Sequence, residues 1–239
     1  MRLLAILACF LLQAVPCWAV IAFDAATEGT GTTALTWTHV PVGTPKGVFL
    51  FCMNNTNADV FSGATYGGTA MTQINNATDG TGEPGFAEGY FLGASIPTGN
   101  QAVVCTVSTG STAKHGVVIT VTAASNTQLA GTGSGTVAVD TDDPSVTITG
   151  IAGASYGAAG MHSGQNTEGS TTAGTGMTIG PSNDYGTQTT ASERRTTQQA
   201  SGNMAIQFIT AASDDVAMVG IAIEQTVPDV ATGQAIVVD

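Results

Sequence analysis

Several short stretches have the residue types and spacing of catalytic motifs. GASYG, from Gly153 to Gly157, has the Gly-x-Ser-x-Gly spacing of a nucleophile elbow, which needs a strand before the serine and a helix after it. The following AAGMHSGQN is too rich in Gly and Ser for that helix, and His162 is the only histidine after Ser155. The elbow instead requires an acid and then a distant histidine. GTGTTA and GTGSGT have the glycines of phosphate loops, but neither opens a helix. We therefore predict no catalytic residue and no cofactor.

Metal ligands are also not grouped in the sequence. The chain has three histidines, His39, His115 and His162. None has a second histidine or a carboxylate at zinc-ligand spacing, so we predict no metal site. VDTDDP carries three carboxylates that offer oxygen ligands for Ca²⁺, but it lacks the glycine and distal glutamate of an EF-hand loop. A solvated acidic turn is the preferred interpretation, and calcium stays an open alternative, for Asp140, Asp142 and Asp143.

The N-terminus MRLLAILACFLLQAVPCWAV is typical of a secretory signal peptide, with an arginine, an apolar run and then small residues at Cys17 and Ala19. We predict cleavage after Ala19, with Ala22 as the next choice. The alternative is an uncleaved membrane anchor, because the apolar run approaches the roughly 20 residues that span a bilayer. The signal peptide is therefore assigned to residues 1–19.

Two cysteines remain outside this segment, and an even pair in an exported chain predicts a disulfide. Cys52 in GVFLFCMN and Cys105 in QAVVCTVS each share a strand face with aliphatic residues. Both thiols should therefore point into the core. Two unpaired buried cysteines are the alternative.

Net charge excludes one class of partner. The chain has 17 acidic and 5 basic residues, a formal net charge of −12, which predicts no binding to nucleic acid. Arg194 and Arg195 form the only basic pair, next to Glu193. We interpret them as part of a solvated loop with a local ion pair, and an anionic-ligand clamp is the alternative.

Short β-branched runs recur along the whole chain, separated by Gly, Pro, Asn and Asp clusters. This pattern predicts an all-β, antiparallel two-sheet sandwich, jelly-roll-like or immunoglobulin-like. We predict a single domain over residues 20–226 and a C-terminal tail over 227–239, with no repeat period in the sequence. The polar stretch 164–203 is interpreted as long loops around a short strand at 177–179. In ATYGGTAMTQI, Gly67 and Gly68 predict a two-residue hairpin turn, and a glycine pair that makes room for a ligand is the alternative.

The order of these motifs resembles a group of β-sandwich modules found in bacteriophage virion proteins and some bacterial surface proteins. The strand GVFLFCMN leads into ATYGGTAMTQI, then into AEGYFLGASIPTGNQAVVCTVS and a valine-rich strand. The resemblance covers residues 34–225 and implies a structural or attachment role. The export-like segment and the cysteine pair depart from the usual member.

These observations lead to three functional hypotheses. The first is a non-enzymatic structural or attachment protein of a virion or extracellular surface, which binds copies of itself or a larger assembly through loops and strand edges. We expect the contact loops at 54–61, 75–86 and 164–203. The second is a secreted carbohydrate-binding module that contacts surface glycans, with only four candidate aromatics, Tyr90, Phe91, Phe86 and Tyr185. An enzyme is third, because no convergent polar cluster is evident. Trp37 alternates with core residues and is interpreted as core. Membrane contact is expected only if residues 1–19 stay attached.

Overall fold

All regular structure in the described part of the chain is antiparallel β-strand. The computed structural model describes residues 20–79, 84–108, 110, 112–141, 143–164, 171–185, 188–211 and 214–226, without the side chains of 138–141 and 214. The seventeen strands in these residues form four sheets, none closed into a barrel. The prediction of an all-β sandwich is confirmed. The predicted signal peptide, residues 1–19, and the predicted tail, residues 227–239, lie outside the described residues.

The first half of the chain forms two sheets that pack face to face. Its strands are β1 (Ala22–Gly31), β2 (Leu35–His39), β3 (Gly47–Asn54), β4 (Phe61–Tyr66), β5 (Thr69–Ala70), β6 (Thr72–Asp79), β7 (Gly85–Leu92), β8 (Gln101–Val107) and β9 (Lys114–Thr122). Inner sheet 1 has the order β1-β9-β3-β7-β6, and outer sheet 1 has the order β2-β8-β4-β5. Tyr66 and Thr69 pair across Gly67 and Gly68, which have φ angles of 57° and 79°. Positive φ at both positions is the signature of a type I′ turn, so the predicted hairpin is confirmed.

The second half repeats this arrangement. Its strands are β10 (Thr127–Thr141), β11 (Ser145–Ile151), β12 (Ser155–Ser163), β13 (Thr172–Ala173), β14 (Met177–Tyr185), β15 (Gln188–Arg195), β16 (Gly202–Ile209) and β17 (Asp214–Gln225). Inner sheet 2 has the order β10-β17-β12-β15-β14, and outer sheet 2 has the order β11-β16-β13. The interpretation of 164–203 as long loops around one short strand was wrong. Strands β13, β14 and β15 lie there, because the polar residues of β15 are buried between neighbouring layers.

Each half has the nested strand pairing of a jelly roll. In the first half β1 pairs with β9, β2 with β8, β3 with β7, and β4 with β5. A long hairpin that rolls up into two sheets produces this nesting, whereas the immunoglobulin order places the first strand beside the second. The second half repeats the first three pairs as β10 with β17, β11 with β16, and β12 with β15. The chain is thus a tandem pair of jelly rolls. Whether they fold cooperatively, as the single predicted domain 20–226 requires, stays a prediction.

Within the described residues, three apolar cores separate the four layers. In β3 all eight residues are buried, because alternate side chains enter two different cores. Leu50 faces outer sheet 1 with Tyr66, whereas Phe51 faces inner sheet 2 with Val219. A third core, which includes Phe208, lies between inner sheet 2 and outer sheet 2. The two jelly rolls therefore share an apolar interface made by their inner sheets.

Glycines set the close approach of the two inner sheets. A Cβ atom on Gly160 of β12 would lie 2.5 Å from the Cβ of Phe51, and one on Gly89 of β7 would lie 2.8 Å from Cγ1 of Val219. Both distances are too short for a real side chain, so these glycines provide the hollows that receive Phe51 and Val219. The inner sheets consequently interlock at these two points.

The two inner sheets stack with opposite strand orders. Edge strand β6 of inner sheet 1 lies against edge strand β10 of inner sheet 2, and β1 lies against β14 at the other side. Since β1 and β10 hold the same place in their rolls, an approximate twofold axis relates the two halves. It runs between the inner sheets, along the strands.

Candidate functional site

The predicted disulfide joins the two sheets of the first jelly roll. Cys52 on β3 and Cys105 on β8 are bonded, with 6.3 Å between their Cα atoms, and both are buried. Each sits on the strand face that looks into the core between the sheets, as their sequence patterns indicate. The prediction is confirmed, and the bond fixes inner sheet 1 to outer sheet 1.

His39 lies in a chain of hydrogen bonds that links β1, β2 and β9. Nε1 of Trp37 donates to Oγ1 of Thr27 over 3.2 Å, and Oγ1 of Thr27 is 2.9 Å from Nδ1 of His39. On the other side of the ring, Nε2 is 3.0 Å from Oγ1 of Thr120, which donates to Oδ2 of Asp24 over 2.8 Å. Each donor in this chain has an acceptor if Nδ1 of the ring accepts and Nε2 donates. A ring with one accepting and one donating nitrogen is a neutral imidazole.

The protonation of His39 follows from its surroundings. Burial lowers the pKa of His39 to about 4, and the nearby Asp24 carboxylate opposes this shift only in part. The side chain has no exposed surface. Both nitrogens of the neutral imidazole take part in hydrogen bonds, and these bonds join β2 to β1 and β9. The role of His39 is therefore structural.

A second polar group has the order of a hydrolase triad. Nε2 of His115 donates to Oε2 of Glu28 over 2.8 Å, and Nδ1 of His115 is 2.7 Å from Oγ1 of Thr190. Acid, imidazole and hydroxyl in this order can activate a nucleophile when a substrate reaches the hydroxyl. Thr190, however, has no exposed surface, and its hydroxyl also lies 3.2 Å from the carbonyl oxygen of Asn183. The group therefore bridges the two inner sheets.

Sequence reasoning missed this group because its members lie far apart in the chain. Glu28 and His115 are 87 positions apart, and His115 and Thr190 are 75 apart. The paired sheets bring them together, and no local spacing indicates it. The buried position of His115 on β9, where neighbouring residues alternate into the shared core, was the only available signal.

The remaining histidine, His162, and the acidic turn at Asp143 do not form a metal site with these polar groups. His162 is buried on β12 and packs against the backbone of Gly85. The amide of Asp143 donates to Oγ1 of Thr210 over 3.1 Å, and the Thr210 amide donates back to Oδ1 of Asp143 over 3.0 Å. Asp142 and the side chain of Asp140 lie outside the described residues. In the part that is described, no three His, Cys, Asp or Glu side chains are grouped as metal ligands.

The serine of the elbow-like motif begins a strand. Ser155 is buried, and β12 continues from it to Ser163. The backbone of Ser155 forms a bridge with Gln199. A strand therefore stands where a nucleophile elbow needs a helix.

The basic pair is not in a solvated loop, so that interpretation was wrong. Glu193, Arg194 and Arg195 all belong to β15, where successive side chains point to opposite faces. The guanidinium of Arg194 lies 3.6 Å from the ring centroid of Phe23, in a cation–π contact. Nη1 of Arg195 donates to the carbonyl of Ala205 over 3.5 Å. The two guanidinium groups are thus used separately and do not converge on one ligand.

Glu193 is a carboxyl group inside the second jelly roll. It has no exposed surface, and neither of its oxygens has a hydrogen-bond partner of good geometry. Burial raises its pKa to about 9, although backbone groups of Gly174 and Gln207 and the charge of Arg195 oppose the shift. The protonated, neutral form is therefore the form that fits this core at neutral pH.

Three of the four aromatic candidates for sugar stacking are part of the cores. Phe86 and Tyr90 are each 1% exposed and Phe91 is 8% exposed, and Tyr185 is half-buried. The hydroxyl of Tyr90 donates to Oε2 of Glu88 over 2.7 Å. Burial raises the pKa of Glu88 to about 7. The three buried rings are therefore not available as a stacking platform for a sugar.

An open apolar groove lies where the edge strands β6 and β10 meet. Its volume is about 580 Å³. Its walls come from both inner sheets, and they include Thr72, Ile74, Phe91, Leu129 and Thr226. Leu129 is 37% exposed there. Oγ of Ser134 on β10 accepts from Nδ2 of Asn75 on β6 over 3.2 Å, so a side-chain contact joins the two edges beside the groove.

Trp37 is partly buried and packs over the glycines of β1 and β9, which agrees with its interpretation as a core residue.

Within the described residues, no helix has the length and apolar character to cross a bilayer. No protein-family model, curated protein or solved structure matches the chain.

Proposed function

We propose that this chain is a non-enzymatic structural or attachment protein of an extracellular surface or a virion. It acts through its strand edges and the loops beside them. The observation that carries the proposal is the position of β6 and β10, two free sheet edges that lie side by side along an open apolar groove. An unpaired edge offers backbone donors and acceptors to a strand from a neighbour, and apolar side chains add affinity.

The use of polar side chains supports this proposal. The polar groups best suited to catalysis are held in two separate sets of cross-strand contacts. His39 contacts Thr27 and Thr120. His115 contacts Glu28 and Thr190. Thr190, the hydroxyl that the imidazole of His115 contacts, is fully buried. A nucleophile must be accessible to its substrate, so these contacts favour a structural role over a hydrolytic one.

The disulfide and the charge support an extracellular location. The bond between Cys52 and Cys105 persists in oxidising compartments. A formal net charge of −12 keeps the protein soluble and argues against nucleic acid as partner. The carbohydrate-binding alternative loses its main argument, because three of its four candidate rings are buried.

Edge-directed assembly can be tested by light scattering of the secreted, purified chain over a range of concentrations. We expect oligomers, and Leu129→Lys, which puts a charge into the groove, should shift them towards monomers. Val42→Lys is the matched control, because Val42 is 86% exposed and lies outside the groove. A wild-type chain that stays monomeric at every concentration, and that turns over a substrate in a broad hydrolase screen, would contradict the proposal.

A further inference from the structure

The exposed large apolar side chains gather at one end of the strands. Strands β1, β3, β10 and β14 begin at this end, and β9, β15 and β17 finish there. The amide of Ile21, just before β1, donates to Oε1 of Gln198 over 2.7 Å, so the second jelly roll reaches the same end. In the described residues six large apolar side chains are exposed, and all lie here, in loops or in the first three residues of strands: Val20, Phe23, Val40, Val42, Leu129 and Ile179. They define the apolar end of the molecule.

A hydrogen bond joins two of the segments that carry these side chains. The amide of Gly43 donates to Oδ1 of Asp24 over 2.6 Å, which holds the loop of Val40 and Val42 beside the beginning of β1. Val42 is the most exposed of the six, at 86%. Single exposed apolar residues are ordinary, but a group of them at one end indicates a surface that binds a protein or a membrane.

Positive charge accompanies these side chains. Four basic residues follow residue 19 in the sequence, and three of them lie at the apolar end, half-buried. Lys46 lies in the loop before β3, and Arg194 and Arg195 are the last residues of β15. The guanidinium of Arg194 lies 3.6 Å from the centroid of the exposed Phe23 ring. The fourth, Lys114, begins β9 at the opposite end and is buried.

The carboxylates that are described at the apolar end already accept hydrogen bonds or are buried. The oxygens of Asp24 accept from the Gly43 amide and from the hydroxyl of Thr120. Oε1 of Glu224 accepts from a glutamine amide of β10 over 3.1 Å. Glu193 is fully buried, and its neutral form fits the core. The three cations therefore meet two partnered carboxylates, so this end does not share the acidity of the whole chain.

Acidic residues gather at the opposite end. Strands β6, β10 and β14 finish there, and β17 begins there. Five aspartates occupy the outermost two residues of these strands: Asp79, Asp140, Asp184, Asp214 and Asp215. The eight residues of β3 separate the two ends by about 26 Å, at about 3.3 Å per residue. Because the Debye length is about 8 Å at physiological ionic strength, the acidic end does not cancel an attraction at the apolar end.

We infer that the apolar end binds the surface of an anionic lipid bilayer, with the acidic end directed away from it. Val20, Phe23, Val40 and Val42 enter the boundary between head groups and acyl chains, and the nearby cations attract the acidic head groups. Val20 directly follows the apolar segment 1–19, so that segment, where attached, approaches a bilayer from the same end. The contact itself belongs to the folded chain. The inference rests on the proposed attachment role and names the surface.

The test is sedimentation of the purified chain with vesicles of phosphatidylcholine alone or mixed with phosphatidylglycerol. We expect binding to the anionic vesicles that weakens with added salt. Val42→Asp should weaken it by about tenfold or more, because it removes an apolar contact and adds a negative charge. Asn57→Asp is the matched control: it adds the same charge in an exposed loop after β3, at the acidic end, and should bind like the wild type.

Val40→Asp should repeat the effect of Val42→Asp, and an unchanged melting temperature shows that each variant is folded. Absence of binding to anionic vesicles, or binding that both variants leave unchanged, would overturn the inference. If the chain then still forms oligomers that Leu129→Lys disrupts, edge-directed assembly stands. A chain that stays monomeric but binds anionic vesicles through Val42 would overturn edge-directed assembly and support the lipid contact. If Val42→Asp changes the oligomeric state and the wild type binds no vesicle, the apolar end is a contact between copies.

Discussion

Nε2 of His39 and Oγ1 of Thr120 lie 3.0 Å apart in a buried contact between strands of two different sheets. The contact requires a neutral imidazole that donates from Nε2 and accepts from Thr27 at Nδ1. Protonation of His39 removes the acceptor and leaves a charge in a buried position. Stability should therefore depend on pH through this side chain.

Acid should destabilise the protein through His39. The folded-state pKa of His39 is about 4, below the ordinary value of 6.5. Between these values the unfolded chain binds a proton that the folded chain does not, so the free energy of unfolding should fall as the pH drops from 6.5 to 4. Above pH 6.5 the contribution is fully present. NMR titration of the His39 ring should show a neutral imidazole down to about pH 4, whereas a midpoint near 6.5 would contradict the buried network.

Through Glu193, the free energy of unfolding should change with pH in the opposite direction. Its folded-state pKa is raised to about 9 from 4.5, so the folded chain keeps a proton that the unfolded chain releases. The contribution to stability is present below pH 4.5 and is lost as the pH rises towards 9, by roughly 1.4 kcal/mol per pH unit at most. Urea unfolding at several pH values should show a shallower alkaline loss for Glu193→Gln. Glu224→Gln, at a less buried site, is the control and should keep the wild-type slope.

Reduction of the disulfide should destabilise the first jelly roll. Cys52 and Cys105 are separated by 53 positions, and closure of a loop of this size stabilises a fold by roughly 4 kcal/mol on the chain-entropy model. Calorimetry with and without a reducing agent should show a lower melting temperature for the reduced protein. Alkylation of both thiols in the unfolded but unreduced chain would show that the bond is absent.

The interface between the jelly rolls should be sensitive to added volume at Gly160. Gly160→Ala places a methyl group 2.5 Å from the Cβ of Phe51, and overpacking of this kind costs about 1–3 kcal/mol. Chemical denaturation should show the loss. Gly153→Ala is the control, since the nearest atom to its added Cβ would be Oε2 of Glu224 at 3.8 Å. Equal stability of the two variants would mean that the inner sheets do not interlock at Phe51.

Alternation in the sequence predicted the strands whose side chains follow an ordinary apolar pattern. In β3 the run GVFLFCMN identified a buried strand and the face that carries Cys52. Gly67 and Gly68 could be identified because a type I′ turn has a strict requirement for positive φ. These features depend on residues close together in the chain.

Strand β15 shows what such reasoning could not predict. Its sequence QTTASERR is polar, yet Thr189, Thr190 and Glu193 are fully buried, because layers on both sides cover the strand. The triad-like contacts of His115 depend on pairings across 75 and 87 positions. The repeated strand order also leaves no period in the sequence, since a roll is defined by which strands pair, and many residue choices satisfy the same pairing.

The approximate twofold axis sets the number of equivalent edge surfaces that the molecule offers to partners. Strands β6 and β10 at one side correspond, through that axis, to β14 and β1 at the other, so the molecule carries two quasi-equivalent borders. A partner that recognises the backbone of one border would meet nearly the same geometry on the opposite border. A building block with two such borders binds one neighbour at each of two opposite sides, so edge-to-edge growth would produce an open row, or a ring where the rotation between neighbours closes.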